Sequence, residues 1–230
     1  MFNSINFLHH YDSLKAKSLK CRVLPNSDIE PLLDSLSGLF KVSILGVSET
    51  DIPIYSVRVG SGSKRILIWS QMHGNESTTT KAIFDLFNYL ESGYYKEFLT
   101  SCTLFIIPIL NPDGAKAFTR LNANNIDLNR DAIIRSQKES IILRQVFDDF
   151  NPHYCFNLHG QRTIYSAGKS NSPSIISFLS PSEDTKRSIT KTRKKSMSII
   201  NAINSVLQLY LPNQVGRYDD SFNPNCVGDQ

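Results

Sequence analysis

The spacing of apolar and polar residues predicts where this chain forms strands. Segments 41–49 and 53–60 alternate apolar and polar residues, which is typical of strands in antiparallel pairs. Segments 65–70, 103–110 and 153–159 are nearly continuous apolar runs, which are typical of strands buried on both faces. Five strands are therefore predicted.

Helical periodicity fills the intervals between these strands. Helices are predicted over 27–40, 77–92, 132–150 and 185–210. The helix over 132–150 has these apolar positions for a buried face: Ile134, Ile141, Ile142, Val146 and Phe150. Strands that alternate with helices predict an α/β fold, with a mixed, mostly parallel sheet sandwiched between helices. We expect a single domain over 1–230.

Composition excludes several classes of protein. The chain has 230 residues, of which 40% are hydrophobic and 20% charged, a balance typical of a globular domain. Its apolar runs are too short to cross a bilayer, and residues 1–20 lack the apolar core of a signal peptide. A net charge of +4 does not require a nucleic-acid partner. The basic run 186–195 lacks interleaved aromatic residues, so a solvated helix face is favoured there.

The cysteines give a weak indication of the compartment. Cys21, Cys102, Cys155 and Cys226 are far apart and form no CxxC pair, which argues against a disulfide framework and a thiolate zinc site. Cys102 and Cys155 lie in or beside apolar runs, so buried free thiols are expected. We expect a cytoplasmic protein without nucleic-acid or membrane partners.

Three polar residues at the ends of predicted strands have the chemistry of a metal site. His73 and Glu76 follow the buried strand 65–70, and His159 ends the strand 153–159. In open α/β sheets, ligands bind at the carboxyl ends of the strands. Two imidazoles and one carboxylate are a ligand set of catalytic zinc sites, which leave a further position open. The sequence therefore predicts a metal site if the two strands are close.

A set of motifs in chain order resembles the zinc carboxypeptidase family. HGNE at 73–76 is followed by NPDG at 111–114, by TRLNANNIDLNRD at 119–131 and by a strand that ends in His. The resemblance covers about residues 40 to 170. It implies one zinc ion per chain, with His73, Glu76 and His159 as its ligands.

The resemblance also implies roles for four residues near the metal. Arg120 matches the arginine that stabilises the oxyanion of the cleaved carbonyl, and Asn129 with Arg130 matches the pair that binds the substrate's terminal carboxylate. Asp127 matches a carboxylate that orients the first zinc-binding histidine. These residue types suit the roles, because a guanidinium binds a carboxylate bidentately and metal-bound histidines commonly donate to a carboxylate. The NPDG segment is expected to be a turn that shapes the site without contacting substrate.

The implied function is zinc-dependent hydrolysis of the C-terminal peptide bond of a peptide with a free C-terminal carboxylate. One alternative is an N-acyl amino acid deacylase of the succinylglutamate desuccinylase and aspartoacylase type, whose motifs are similar. The other is a non-catalytic domain that binds zinc or peptide.

One element of the family's machinery is not visible in the sequence. Similar proteins use a glutamate on a late strand as general base, and a base must lie within about 3 Å of the proton that it takes. The carboxylates after His159 all lie in a turn or an irregular tail; they are Glu183, Asp184, Asp219, Asp220 and Asp229. We therefore expect a domain that is incomplete at its C-terminal end, binds zinc and hydrolyses peptides feebly.

Overall fold

The computed structural model describes residues 11–93, 96–161, 164–169 and 171–218. The chain divides into two compact units, Met1–Gly160 and Gln161–Gln230. The expectation of a single domain over 1–230 stays a prediction. All the residues of the predicted metal site belong to the first unit.

A five-stranded mixed sheet forms the centre of the first unit. Its strands are β1 (Phe40–Val47), β2 (Pro53–Val59), β3 (Lys64–Ser70), β4 (Cys102–Ile107) and β5 (Tyr154–Leu158), in the order β1-β2-β4-β3-β5. The β1–β2 and β2–β4 pairs are antiparallel, and the β3–β4 and β3–β5 pairs are parallel. The predicted mixed sheet is confirmed. Among the described strands, β1, β3, β4 and β5 run in the same direction and β2 runs opposite to them, so the sheet is mostly parallel as predicted.

Residues 11–14 are helical, and the helices whose two ends both lie in the described part of the first unit precede, connect or follow these strands. They are α1 (Asn26–Asp34), α2 (Thr78–Glu91), α3 (Lys96–Ser101), α4 (Pro112–Ala117), α5 (Leu128–Asp131) and α6 (Lys138–Phe150). The NPDG segment, expected to be a simple turn, begins α4, since Asn111 caps a helix that starts at Pro112.

Helix α6 begins later than the predicted span 132–150. The Asp131 carboxylate accepts hydrogen bonds from the backbone N–H groups of Ser136 and Gln137 and therefore holds the preceding segment in a turn. Ile134 consequently lies outside the helix and is 77% exposed, while Ile141 is 50% exposed. Val146 and Phe150 are buried as expected, and Ile142 is partly buried against the same core.

Helices pack on both faces of the sheet, as the fold class predicted. Leu104 and Ile106 of β4 point to the core that contains α2, whereas Ile107 points to the core that contains α6. This division follows from the alternation of side chains along a strand. Helices cover both faces of the sheet. The loops that carry polar side chains therefore lie at the edge formed by the carboxyl ends of β3, β4 and β5.

Strand β5 is less buried than a central strand would be. In the described residues it pairs only with β3, so it lies at the edge of the sheet. The prediction that Cys155 is buried is wrong, because this edge position leaves the residue exposed. Cys102 is buried and Cys21 exposed, and both are free thiols; Cys226 lies outside the described residues.

The second unit contains a short parallel pair, β6 (Ile176–Phe178) with β7 (Val215–Arg217), and the helix α7 (Lys191–Leu207). Thr190 caps α7 by accepting a hydrogen bond from the Arg193 backbone N–H. No residue of α7 is buried. Across the described residues, no helix is long and apolar enough to cross a membrane.

Candidate metal centre

A buried hydrogen-bond network fixes the chain where it leaves β3. Gln71 is fully buried and has a left-handed backbone (φ 50°), a conformation that is uncommon for a residue other than glycine. Its side-chain nitrogen donates to the carbonyls of Leu24 (3.0 Å) and Gly74 (2.9 Å), and its oxygen accepts from the Thr80 hydroxyl (2.7 Å). These contacts offset the backbone strain and fix the direction in which the next residues leave the sheet.

The NPDG segment holds this turn from the neighbouring strand. Asn111 donates to the carbonyl of Met72 (3.2 Å) and accepts from the backbone N–H of Gly114 (2.8 Å). Asp113 is buried and accepts hydrogen bonds from the hydroxyls of Ser48 and Thr50 in the β1–β2 connection. The segment therefore connects three loops at the carboxyl edge of the sheet.

Two glycines, Gly74 and Gly114, form the contact between the turn that carries His73 and Glu76 and the NPDG segment. A Cβ atom built on Gly74 would lie 1.9 Å from the carbonyl carbon of Gly114 and 2.2 Å from the backbone nitrogen of Ala115. No side chain fits in that space. Gly74 is thus required by the close approach of two backbones.

The three predicted metal ligands converge at this edge. His73 Nδ1 lies 3.1 Å from Glu76 Oε1, and His159 Nδ1 lies 3.1 Å from both His73 Nδ1 and Glu76 Oε2. All three ligand atoms lie within 4.8 Å of one another. The backbone N–H of Gly160 donates to Glu76 Oε2 (2.8 Å) and so helps to aim the carboxylate.

The chemistry of these donors fits a zinc ion. His73 Nε2 lies 3.1 Å from Asp127 Oδ1. An ionised carboxylate only accepts, so Nε2 carries a proton, and Nδ1, on the side of the other two ligands, is the ring nitrogen available to a metal ion. Two imidazole nitrogens and a carboxylate that face one another are a donor set that Zn²⁺ prefers.

The electrostatics of the site favour a cation. Burial raises the pKa values of Glu76 and Asp127, but hydrogen bonds from the histidines outweigh it and hold both pKa values well below the usual range. Burial lowers the pKa of His73, yet its hydrogen bonds to the two carboxylates leave that pKa raised. Both carboxylates are therefore ionised at neutral pH, and Arg120 compensates only one of the two negative charges.

Arg120 lies at the rim of the site. Its side chain is 43% exposed, its Nε donates to Asp127 Oδ2 (3.0 Å), and its Nη1 lies 3.6 Å from Glu76 Oε1. The guanidinium is thus held beside the metal ligands and is still reached from solvent.

The candidate carboxylate-binding pair follows Asp127 directly. Asp127 caps α5 by accepting a hydrogen bond from the backbone N–H of Asn129 (2.9 Å). Asn129 is buried, whereas Arg130 is exposed. The same carboxylate therefore contacts His73 and Arg120 and fixes the start of the helix that carries Asn129 and Arg130.

Sequence reasoning missed Asn157, which lies on β5 two residues before His159. Its side-chain nitrogen lies 3.3 Å from Asn129 Oδ1. The polar residue in an otherwise apolar run, on the face that alternation assigns also to His159, was the available signal.

Two of the carboxylates considered for the general base have hydrogen-bond partners within the second unit. Glu183 accepts from the Thr190 hydroxyl (2.6 Å) and Asp184 from the Ser188 backbone N–H (2.9 Å), and both belong to the second unit. Asp219, Asp220 and Asp229 lie outside the described residues. The expectation that the general base is missing from this sequence stays a prediction.

Solved carboxypeptidases share this fold. Carboxypeptidase A from Helicoverpa armigera superposes with a TM-score of 0.63 at 16% identity, over 94% of this chain and 65% of that one. A metallo-carboxypeptidase from Burkholderia cenocepacia gives 0.55 at 20% identity, over 59% of this chain and 41% of that one. At these identities the likeness concerns the fold alone.

Curated sequences and a family model extend the likeness. Carboxypeptidase 2 of Trichophyton rubrum is 27% identical over 115 residues, which are 48% of this chain and 21% of the relative. Mouse carboxypeptidase M is 30% identical over 118 residues, 42% of this chain and 27% of the relative. The matched part of the chain thus spans between a fifth and three tenths of the length of these relatives. The model for zinc carboxypeptidase, Peptidase M14, matches residues 26–174. With its motifs, its fold and its convergent ligands, this chain belongs to the zinc carboxypeptidase family.

Proposed function

We propose that this protein removes the C-terminal residue from peptides, using one zinc ion held by His73, Glu76 and His159. A single observation carries the proposal: the three ligand atoms converge within 4.8 Å, and His73 contacts Asp127, the N-cap of the helix Leu128–Asp131 that carries Asn129 and Arg130. In such a site zinc supplies a Lewis acid that polarises a carbonyl and lowers the pKa of a water molecule.

The chain's own residues provide orientation and charge. Asp127 keeps the proton of His73 on Nε2. Arg120, with its guanidinium beside Glu76, places a positive charge where the carbonyl oxygen of a substrate becomes negative. Asn129 and Arg130 follow Asp127 and supply an amide and a guanidinium for a terminal carboxylate. The substrate class is therefore a peptide with a free C-terminus.

The test compares free and blocked termini on zinc-loaded protein. Acetylated dipeptides Ac-Gly-Xaa, with Xaa varied over apolar, basic, acidic and aromatic residues, are measured for binding and hydrolysis as free acids and as amides. We expect the free acids to bind more tightly. N-acetyl amino acids serve as the competing class, because preferential cleavage of these would indicate a deacylase.

A conservative variant tests the carboxylate site itself. Arg130→Lys keeps the charge but loses the planar fork, so free acids should bind about tenfold more weakly, while zinc content and amide binding stay unchanged. Equal binding of acids and amides by the unaltered protein would contradict the proposed exopeptidase.

A further inference from the structure

Asn157 makes a contact that the catalytic scheme does not use. The residue pairs with Trp69 across β3 and β5, and its side-chain nitrogen lies 3.3 Å from Asn129 Oδ1 and 3.5 Å from Met72 Sδ. Its own side-chain oxygen is buried and has no hydrogen-bond partner among the described residues.

This arrangement is costly for a structural residue. A buried acceptor without a partner loses its hydration and gains nothing in return, a cost of about 1–3 kcal/mol. An apolar side chain would fill the same position beside Met72 without that cost. The contact that accounts for an amide here is the hydrogen bond from its nitrogen to Asn129.

That hydrogen bond determines which way round the Asn129 amide lies. A carboxamide has one donor end and one acceptor end, and the two ends have nearly the same shape. The amide nitrogen of Asn157 donates, so it binds the oxygen of Asn129 and directs the nitrogen of Asn129 away from itself. A carboxylate offers only acceptors and therefore needs that nitrogen.

We propose that Asn157 is a positioning residue: it orients the Asn129 carboxamide so that its N–H group serves the terminal carboxylate of the substrate. This rests on the proposed function, in which Asn129 binds that carboxylate. It adds a determinant of specificity, because a terminal amide carries a donor as well as an acceptor and tolerates either orientation of Asn129.

The decisive variant reverses the polarity of the contact at nearly constant shape. In Asn157→Asp the new carboxylate only accepts, so it attracts the nitrogen of Asn129 and turns the Asn129 oxygen toward the ligand. We expect the affinity for Ac-Gly-Xaa free acids to fall about tenfold and that for the amides to fall much less. Asn157→Leu leaves Asn129 without a fixed orientation, and its loss should be smaller. Zinc content and thermal unfolding of each variant show whether the site is intact.

A double-mutant cycle separates orientation from simple charge repulsion. Asn157→Asp also adds a negative charge, whose repulsion of a free acid would persist in an Asn129→Ala background. The orientation effect needs Asn129, so Asn157→Asp should not change the acid-to-amide affinity ratio in that background. The same fall in the ratio in both backgrounds, or no fall in either, would overturn the inference.

The cycle also distinguishes this inference from the proposed function. If Asn129→Ala alone leaves the affinity for free acids unchanged, Asn129 does not bind the carboxylate, and both the assigned role and the inference fail. If Asn129→Ala weakens free-acid binding but Asn157→Asp leaves the affinity ratio unchanged, the proposed function stands and only the positioning role of Asn157 is wrong.

Discussion

The two halves of the metal centre are held in different ways. The turn that carries His73 and Glu76 is packed into the core, and the side chain of His73 is only 2% exposed. His159 follows the edge strand β5, and its side chain is 35% exposed. The turn with His73 and Glu76 is thus held by the protein core, whereas His159 lies closer to solvent.

The contacts that hold the two histidines also differ, with His73 held by more of the fold than His159 is. His73 is fixed by Asp127 on the outer side of its ring and by the packing of Gly74 on Gly114 below it. The polar contacts that the structure records for His159, within the described residues, are with His73 and Glu76. His159 is therefore placed largely by its fellow ligands, so metal binding should order it more than His73.

Removing a histidine is expected to have the largest effect. His73→Ala and His159→Ala each leave two ligands, so we expect zinc affinity to fall by more than about a hundredfold in both. His73→Ala should lose more, because it also removes the hydrogen bond between His73 and Asp127. Metal analysis after gel filtration, with chelator competition, measures both losses. Equal zinc content in the unaltered protein and the two variants would refute the ligand assignment.

A matched pair of glycine substitutions tests the difference in rigidity directly. Gly74→Ala places a Cβ against the backbone of Gly114, which cannot move aside, so we expect the free energy of unfolding to fall by about 2–4 kcal/mol. Gly160→Ala meets the Glu76 side chain at 3.1 Å and its Cα at 3.5 Å, and should cost less than about 1 kcal/mol. Denaturant unfolding followed by circular dichroism compares them. Similar losses would show that the halves are equally rigid.

A weaker effect is expected when the support of His73 is altered but the ligand stays. Asp127→Asn retains a cap for α5 but weakens the acceptor for His73, so zinc affinity should fall about 10–100-fold with little change in stability. Asp113→Asn is the control, since Asp113 is buried in the neighbouring loop and contacts Ser48 and Thr50 instead of a ligand. A comparable fall in zinc affinity for Asp113→Asn would mean that the loss reflects loosened loops and not the contact with His73.

The smallest expected effect concerns how the buried Glu139 side chain makes the stability of the fold depend on pH. Burial raises the pKa of Glu139, which is fully buried and accepts from the backbone N–H of Glu49. A raised pKa means that the folded protein keeps this proton to higher pH than the unfolded chain does. The contribution to stability is thus full below the unfolded pKa and is lost as pH rises through the folded value.

Glu139→Gln removes this titration, so its melting temperature relative to the unaltered protein should increase from pH 4 to pH 7. Asp148→Asn, on the exposed face of the same helix, controls for the loss of a charge. A difference between Glu139→Gln and the unaltered protein that does not vary with pH would contradict the prediction.

Much of the fold followed from local patterns. The apolar run 65–70 predicted β3 within one residue of its observed bounds, and the strand ends predicted that His73 and His159 would meet. The family resemblance predicted roles for Asp127 and Arg120, which stay predictions, and the structure shows the contact between Asp127 and His73.

The features that sequence reasoning missed depend on contacts between distant residues. The start of α6 is set by hydrogen bonds to the Asp131 carboxylate, which periodicity does not register. The contact of Asn157 with Asn129 joins residues 28 positions apart, and a single polar residue in an apolar run does not reveal its partner.

The contact of Gly74 with Gly114 has a consequence for moving such a site to another scaffold. In the sequence, HGNE at 73–76 and NPDG at 111–114 are two separate motifs. In the structure the two backbones are in direct contact, and no side chain fits on Gly74. The position of the Gly74 backbone therefore depends on the course of the NPDG loop. A redesign that moves the turn carrying His73 and Glu76 to another scaffold must carry the NPDG loop with it.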